Sequence, residues 1–84
     1  MQDPSEDPGV LLMLQLQGGE EAAFDGLLAM YQGPVFSLLR RLLGPGADLE
    51  DLAQEVFLRL YRSRDRYQPE GRLGTFLYRI TNNL

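Results

Sequence analysis

The sequence predicts an all-α fold, a compact bundle of about four to five helices. Three observations carry that expectation. Apolar residues recur at i, i+3, i+4, i+7 in successive stretches, the period of a helix face. Clusters of glycine and proline separate those stretches. Neither a strand-like alternation of apolar and polar residues nor an internal repeat competes with this pattern. At 84 residues, 44% of them hydrophobic, the chain suits one small domain with a single core.

The elements follow in order. After Pro8-Gly9, the stretch VLLMLQLQ predicts a short apolar helix stopped by Gly18-Gly19. Glu20 and Glu21 suit the start of the next helix, where the macrodipole favours negative charge. Phe24, Leu27, Leu28 and Tyr31 form its core stripe. Gly33-Pro34 is expected to break or kink that helix. Val35, Leu38, Leu39, Leu42 and Leu43 continue the apolar face beyond the break. Gly44-Pro45-Gly46 is the clearest turn, and Asp48 after it is a candidate N-cap. Leu49, Leu52, Ala53, Val56 and Leu60 are then the core stripe of a helix over 48–62. The pattern lapses over 65–71. A last helix is expected from about Thr75, with Phe76, Leu77, Ile80 and Leu84 facing inward.

Composition narrows the chemistry. With no cysteine and no histidine, the common zinc sites and the usual nucleophile–base pairs cannot be assembled. No glycine-rich phosphate loop accompanies the carboxylates, so neither an enzyme nor a cofactor is expected. No apolar run approaches membrane-spanning length, and no membrane insertion is expected. The acidic start, MQDPSEDPG, does not resemble a secretory or transit segment, and a reducing cytoplasm is the expected location.

The net charge of −4 hides a division. Residues 1–39 carry six acids and no base, whereas residues 59–84 carry six arginines against Asp65 and Glu70. Such segregation suggests two surfaces with different partners. On the helix over 48–62, Asp51, Gln54, Glu55 and Leu58 lie at i, i+3, i+4, i+7 and share an exposed stripe opposite the core. Solvation and the helix dipole account for that stripe without a partner. Glu55 and Arg59 are spaced for a surface ion pair. Further on, Arg59, Arg62, Arg64, Arg66, Arg72 and Arg79 interleave with Tyr61, Tyr67, Phe76 and Tyr78, and Asn82 and Asn83 follow. Guanidinium groups neutralise phosphates, aromatic faces stack on unpaired bases and carboxamides read base edges. A half-buried, solubilising end accounts for the same residues equally well.

Three blocks together, EEAAFDGLLAMYQGPVFSLLRRLLG, ADLEDLAQEVFLRLYRSRDRY and GRLGTFLYRITNNL, resemble region 2 of bacterial RNA polymerase sigma factors, most closely the extracytoplasmic-function class. The resemblance implies a domain over 9–84 preceded by a flexible acidic N-terminus, 1–8, with the C-terminal −35-binding domain absent from this chain. It implies a transcription initiation module that binds core RNA polymerase and recognises and melts the promoter −10 element. Carried over by position, Asp51, Gln54, Glu55 and Leu58 would face the clamp helices of the β′ subunit. Arg66, Tyr67, Arg72, Tyr78, Arg79, Asn82 and Asn83 would meet the non-template strand of −10 DNA. Asn83 matches a position lining the pocket for a flipped base, and the loop 68–74 is expected to contribute to that pocket. Phe76 stands where the family often has tryptophan and is read as core. An anti-sigma factor is a further implied partner. The alternative is a sigma-like decoy, an interaction module that binds an anti-sigma factor without reading DNA.

Overall fold

A computed structural model describes residues 6–84. The chain runs through α1 (Pro8–Gln17), α2 (Ala22–Leu43), α3 (Leu49–Arg62), a 3-10 turn (Arg64–Arg66) and α4 (Leu73–Asn82). The all-α expectation holds.

Helix α1 begins with Pro8 at its first position, where a missing N–H costs nothing. Asp7 is its N-cap and accepts a hydrogen bond from the Gly9 amide at 3.1 Å. Residues 1–5 of the expected flexible N-terminus lie outside the described residues. Asp7 and Pro8, counted with that segment from the sequence, belong to the fold. Asp7 is only 7% exposed, because its carboxylate is needed by buried backbone amides. Val10, Met13 and Leu16 are buried along α1 at helical spacing.

Helix α2 is one continuous element through Pro34, so of the break or kink expected at Gly33-Pro34 the break does not occur. The proline removes the bond to the Met30 carbonyl four residues earlier. Met30, Gln32, Gly33 and Pro34 are all exposed, so the lost bond falls on the solvent side of the helix, where water can take the donor's place. Buried Leu27 on one side, and Val35, Leu38 and Leu39 on the other, hold both halves against the same core. Leu42 and Leu43, expected inside, are exposed. They occupy the last turn of α2, and the small residues of the following turn, 44–47, offer nothing to cover them. At about 33 Å, 22 residues of helix nearly match the molecule's longest dimension of 37 Å.

Asp48 caps α3 as expected, its Oδ1 accepting from the Asp51 amide at 3.2 Å. The buried stripe is Ala53, Val56, Phe57 and Leu60, with Leu49 and Leu52 partly buried. Phe57 joins the core beyond the expected set. Helix α4 begins two residues before Thr75, and its buried residues are Leu73, Leu77 and Thr81. Phe76 and Ile80 are partly buried against this core. Leu84, expected inward, is exposed, because it follows the end of the helix and the helical period no longer applies. Thr81 is tolerated inside because its hydroxyl donates to the Leu77 carbonyl at 2.8 Å.

Candidate nucleic-acid interface

The end of α3, the loop 63–72 and α4 enclose a cleft of about 670 Å³. Its position follows from the helical period of α4, which divides the helix into three faces. Leu73, Leu77 and Thr81 face the core. Thr75, Phe76, Arg79, Ile80 and Asn83 face the cleft. Gly74, Tyr78 and Asn82, spaced by four, form an exposed third face.

Of the candidate DNA-contact residues, Arg66, Tyr67, Arg72, Arg79 and Asn83 therefore come together in the cleft. Tyr78, 52% exposed, and Asn82 do not line it. Tyr67 lines the cleft as a buried rather than an exposed ring. It is 6% exposed and packs edge-on against Phe76 with ring centroids 5.3 Å apart. Burial raises its hydroxyl pKa above the ordinary value, and the nearby carboxylate of Asp7 and hydroxyl of Tyr31 add to the rise. The Tyr67–Phe76 pair is thus a fixed aromatic wall.

Sequence reasoning left Arg59 and Arg62 out of this site, yet both line it. The signal was present: Arg59, Arg62 and Arg66 lie at i, i+3, i+7, although the last lies beyond the end of α3. Five arginines thus face one acid, Glu70, around the cleft. Arg64 is engaged elsewhere, with its guanidinium 4.0 Å from the Tyr61 ring centroid and its Nη1 donating to the Tyr61 carbonyl at 3.0 Å. From the loop 68–74, Gln68, Glu70, Gly71 and Arg72 line the cleft, whereas Gly74 does not.

The acidic stripe of α3 is exposed along Asp51, Gln54 and Leu58, with Leu58 46% exposed and Glu55 partly buried. The Asp51 carboxyl is shifted upward in pKa, first by its hydrogen bond with Asp48 and then by that neighbour's like charge. Glu55 pairs with Arg59 at 3.2 Å, the one ion pair among the described residues. Arg59 Nη1 in turn donates to the Asn83 carbonyl oxygen at 3.1 Å. Arg59 therefore ties the acidic stripe to the end of α4. Asn83 also closes its own helix, Nδ2 donating to the Arg79 carbonyl at 2.9 Å.

Comparison with known proteins gives this arrangement its relatives. The family model Sigma-70 region 2 matches residues 27–84. The chain is 36% identical over 70 residues to the extracytoplasmic-function (ECF) RNA polymerase sigma factor SigW of Bacillus subtilis, covering 83% of this chain and 37% of that protein. It is 38% identical over 84 residues to the ECF sigma factor SigE of Mycolicibacterium smegmatis, covering 98% of this chain and 32% of the relative. It is 37% identical over 73 residues to the ECF sigma-E factor of Escherichia coli, covering 87% and 38%. The chain thus spans about a third of the length of these relatives. An engineered region 2 of sigmaE, solved by NMR in complex with GTAAAA, superposes with a TM-score of 0.80 at 33% identity, covering 98% of this chain and 84% of that one. The chain belongs to the Sigma-70 region 2 family, among the sigma factors of the extracytoplasmic-function class, which are not enzymes.

Proposed function

We propose that this chain is the part of a transcription initiation factor that engages both RNA polymerase and the promoter. The exposed face of α3, through Asp51, Gln54, Glu55 and Leu58, holds the clamp helices of the β′ subunit of core polymerase. The cleft takes the non-template strand of the −10 element. Its arginines neutralise the backbone, and one unstacked base enters beside the Tyr67–Phe76 wall. No covalent step is involved: extracting a base costs a few kcal/mol, offset by pocket and phosphate contacts. The observation that carries this reading is the cleft itself, with five arginines around an aromatic wall. Its support from similarity is the region 2 domain solved with GTAAAA.

The net charge of −4 divides the labour. A free domain of this charge binds DNA weakly, and polymerase supplies the rest of the affinity. The protein then works in the cytoplasm beside polymerase, and an anti-sigma factor is its remaining proposed partner.

Two pairs of substitutions test the reading. Asp51→Arg with Glu55→Arg abolishes binding to core polymerase while circular dichroism remains helical. Arg79→Ala with Asn83→Ala leaves polymerase binding intact and weakens capture of −10 single strand in a holoenzyme assay. A decoy that only titrates an anti-sigma factor is insensitive to the second pair. Nanomolar binding of single-stranded DNA by the free domain in physiological salt would contradict the proposed division.

A further inference from the structure

Helix α1 precedes the span matched by the family model, 27–84, and none of its residues lines the cleft. It nevertheless holds both ends of the loop that does. At its C-terminal end, Gln17 Nε2 donates to the backbone carbonyls of Arg64 and Tyr67, each at 2.9 Å and partly buried. At its N-terminal end, the buried Asp7 carboxylate accepts from the Leu73 amide at 2.7 Å through Oδ2, while Oδ1 accepts from Gly9. Leu73 opens α4, whose own N-cap residue, Arg72, supplies no side-chain capping bond. One carboxylate thus caps two helices, the second from a position 66 residues away. Gly9 allows this approach: a Cβ there would collide with the Tyr31 hydroxyl and stand 2.9 Å from the Leu73 Cβ.

Between these anchors lie Gln68, Glu70, Gly71 and Arg72, the loop's contribution to the cleft. The side chains of Gln68, Glu70 and Arg72 make no hydrogen bond within the described residues. The shape of the loop is therefore fixed at its ends. Ten residues of helix set the anchor spacing rigidly, at about 15 Å. Packing of Val10, Met13 and Leu16 explains why α1 is in the bundle but requires neither Gln17 nor a carboxylate at position 7.

We infer that α1 is a strut that pre-organises the nucleotide-binding loop, with Asp7 and Gln17 as its positioning residues. The inference rests on the reading of the cleft as the −10 strand site. Holding the loop in its bound shape removes part of the ordering cost of binding.

The test uses the 84-residue chain in three variants: Gln17→Ala, Asp7→Ala and Asp7→Ser. Serine keeps the local cap of α1 but is too short to reach Leu73. Three quantities are measured: affinity for −10 single strand, affinity for core polymerase, and hydrogen exchange of the amides over 64–73. All three variants are expected to lose about fivefold to tenfold in single-strand affinity, keep polymerase affinity and exchange faster in the loop. Asp7→Ser is expected to recover thermal stability relative to Asp7→Ala without recovering DNA affinity. Should Asp7→Ala fail to fold, Gln17→Ala and Asp7→Ser carry the test. Wild-type DNA affinity in both overturns the inference, as does a parallel loss of both affinities. If the unsubstituted chain captures no single strand even with polymerase, the cleft reading fails. Loop exchange unchanged in Asp7→Ser and Gln17→Ala then removes the strut independently.

Discussion

At the residue scale, the arginines of this chain are divided by what already engages them. Arg64 is stacked on Tyr61 and bonded to its carbonyl, and it stands outside the cleft. Arg72 lines the cleft and carries no side-chain bond among the described residues. Arg72→Ala is therefore expected to weaken single-strand binding and reduce the slope of log affinity against log salt by about 0.7. Arg64→Ala should leave both unchanged in a fluorescence-anisotropy titration. Glu70 is the opposing charge, a carboxylate among five guanidinium donors that makes no ion pair among the described residues. Removing it eliminates repulsion of the phosphates. Glu70→Ala is expected to tighten single-strand binding about twofold to fivefold at low salt, with the gain fading as ionic strength rises. Weaker binding by that variant would instead mean that the carboxylate accepts from a base amino group.

At the element scale, legibility tracked periodicity. The buried stripe of α3 was readable because Ala53, Val56 and Leu60 repeat at helical spacing and Asp48 announces the helix start. The acidic stripe was readable for the same reason. The division of α4 was less so. Its core face is completed by Thr81, a polar residue that is satisfied by an intrahelical bond and gives no hydrophobic signal. The cleft loop has no period at all, and its anchors, Asp7 and Gln17, lie 66 and about 50 positions away. Such tertiary hydrogen bonds leave no local pattern to read. The helix runs through Pro34 without the break for a third reason: the local penalty is real, but burial on either side outweighs it. That makes a prediction about α2. Alanine at an exposed helical position restores the missing N–H for Met30 and improves propensity, against a smaller entropic loss in the unfolded chain. Pro34→Ala is expected to stabilise the domain by about 1–2 kcal/mol in urea denaturation. No change, or a loss, would show that α2 needs its proline for shape.

At the scale of the whole molecule, three tyrosines join elements that are distant in sequence. Tyr61 of α3 donates to both carboxylate oxygens of Glu21, at 3.0 and 2.9 Å, so the residue before α2 is held by α3. Tyr67 joins the loop to α4 through Phe76. Tyr31 of α2 stands over Gly9, where α1 meets α4. All three hydroxyls are pushed above the ordinary value of 10.0. Burial is the main cause for Tyr31 and Tyr67, and the hydrogen bond to Glu21 is the main cause for Tyr61. The folded state therefore binds these protons more tightly than the unfolded chain. Their contribution to stability is complete below the unfolded value near 10 and is lost as pH rises through the higher folded values. An alkaline titration is expected to show tyrosinate absorbance and loss of helical circular dichroism rising together above about pH 10. Tyr61→Phe removes the Glu21 contact and one of the three protons that link folding to pH. It should make the alkaline transition less steep while lowering stability at neutral pH. Independent ionisation of all three tyrosines near pH 10 with helicity intact would show that these hydroxyls do not hold the bundle together.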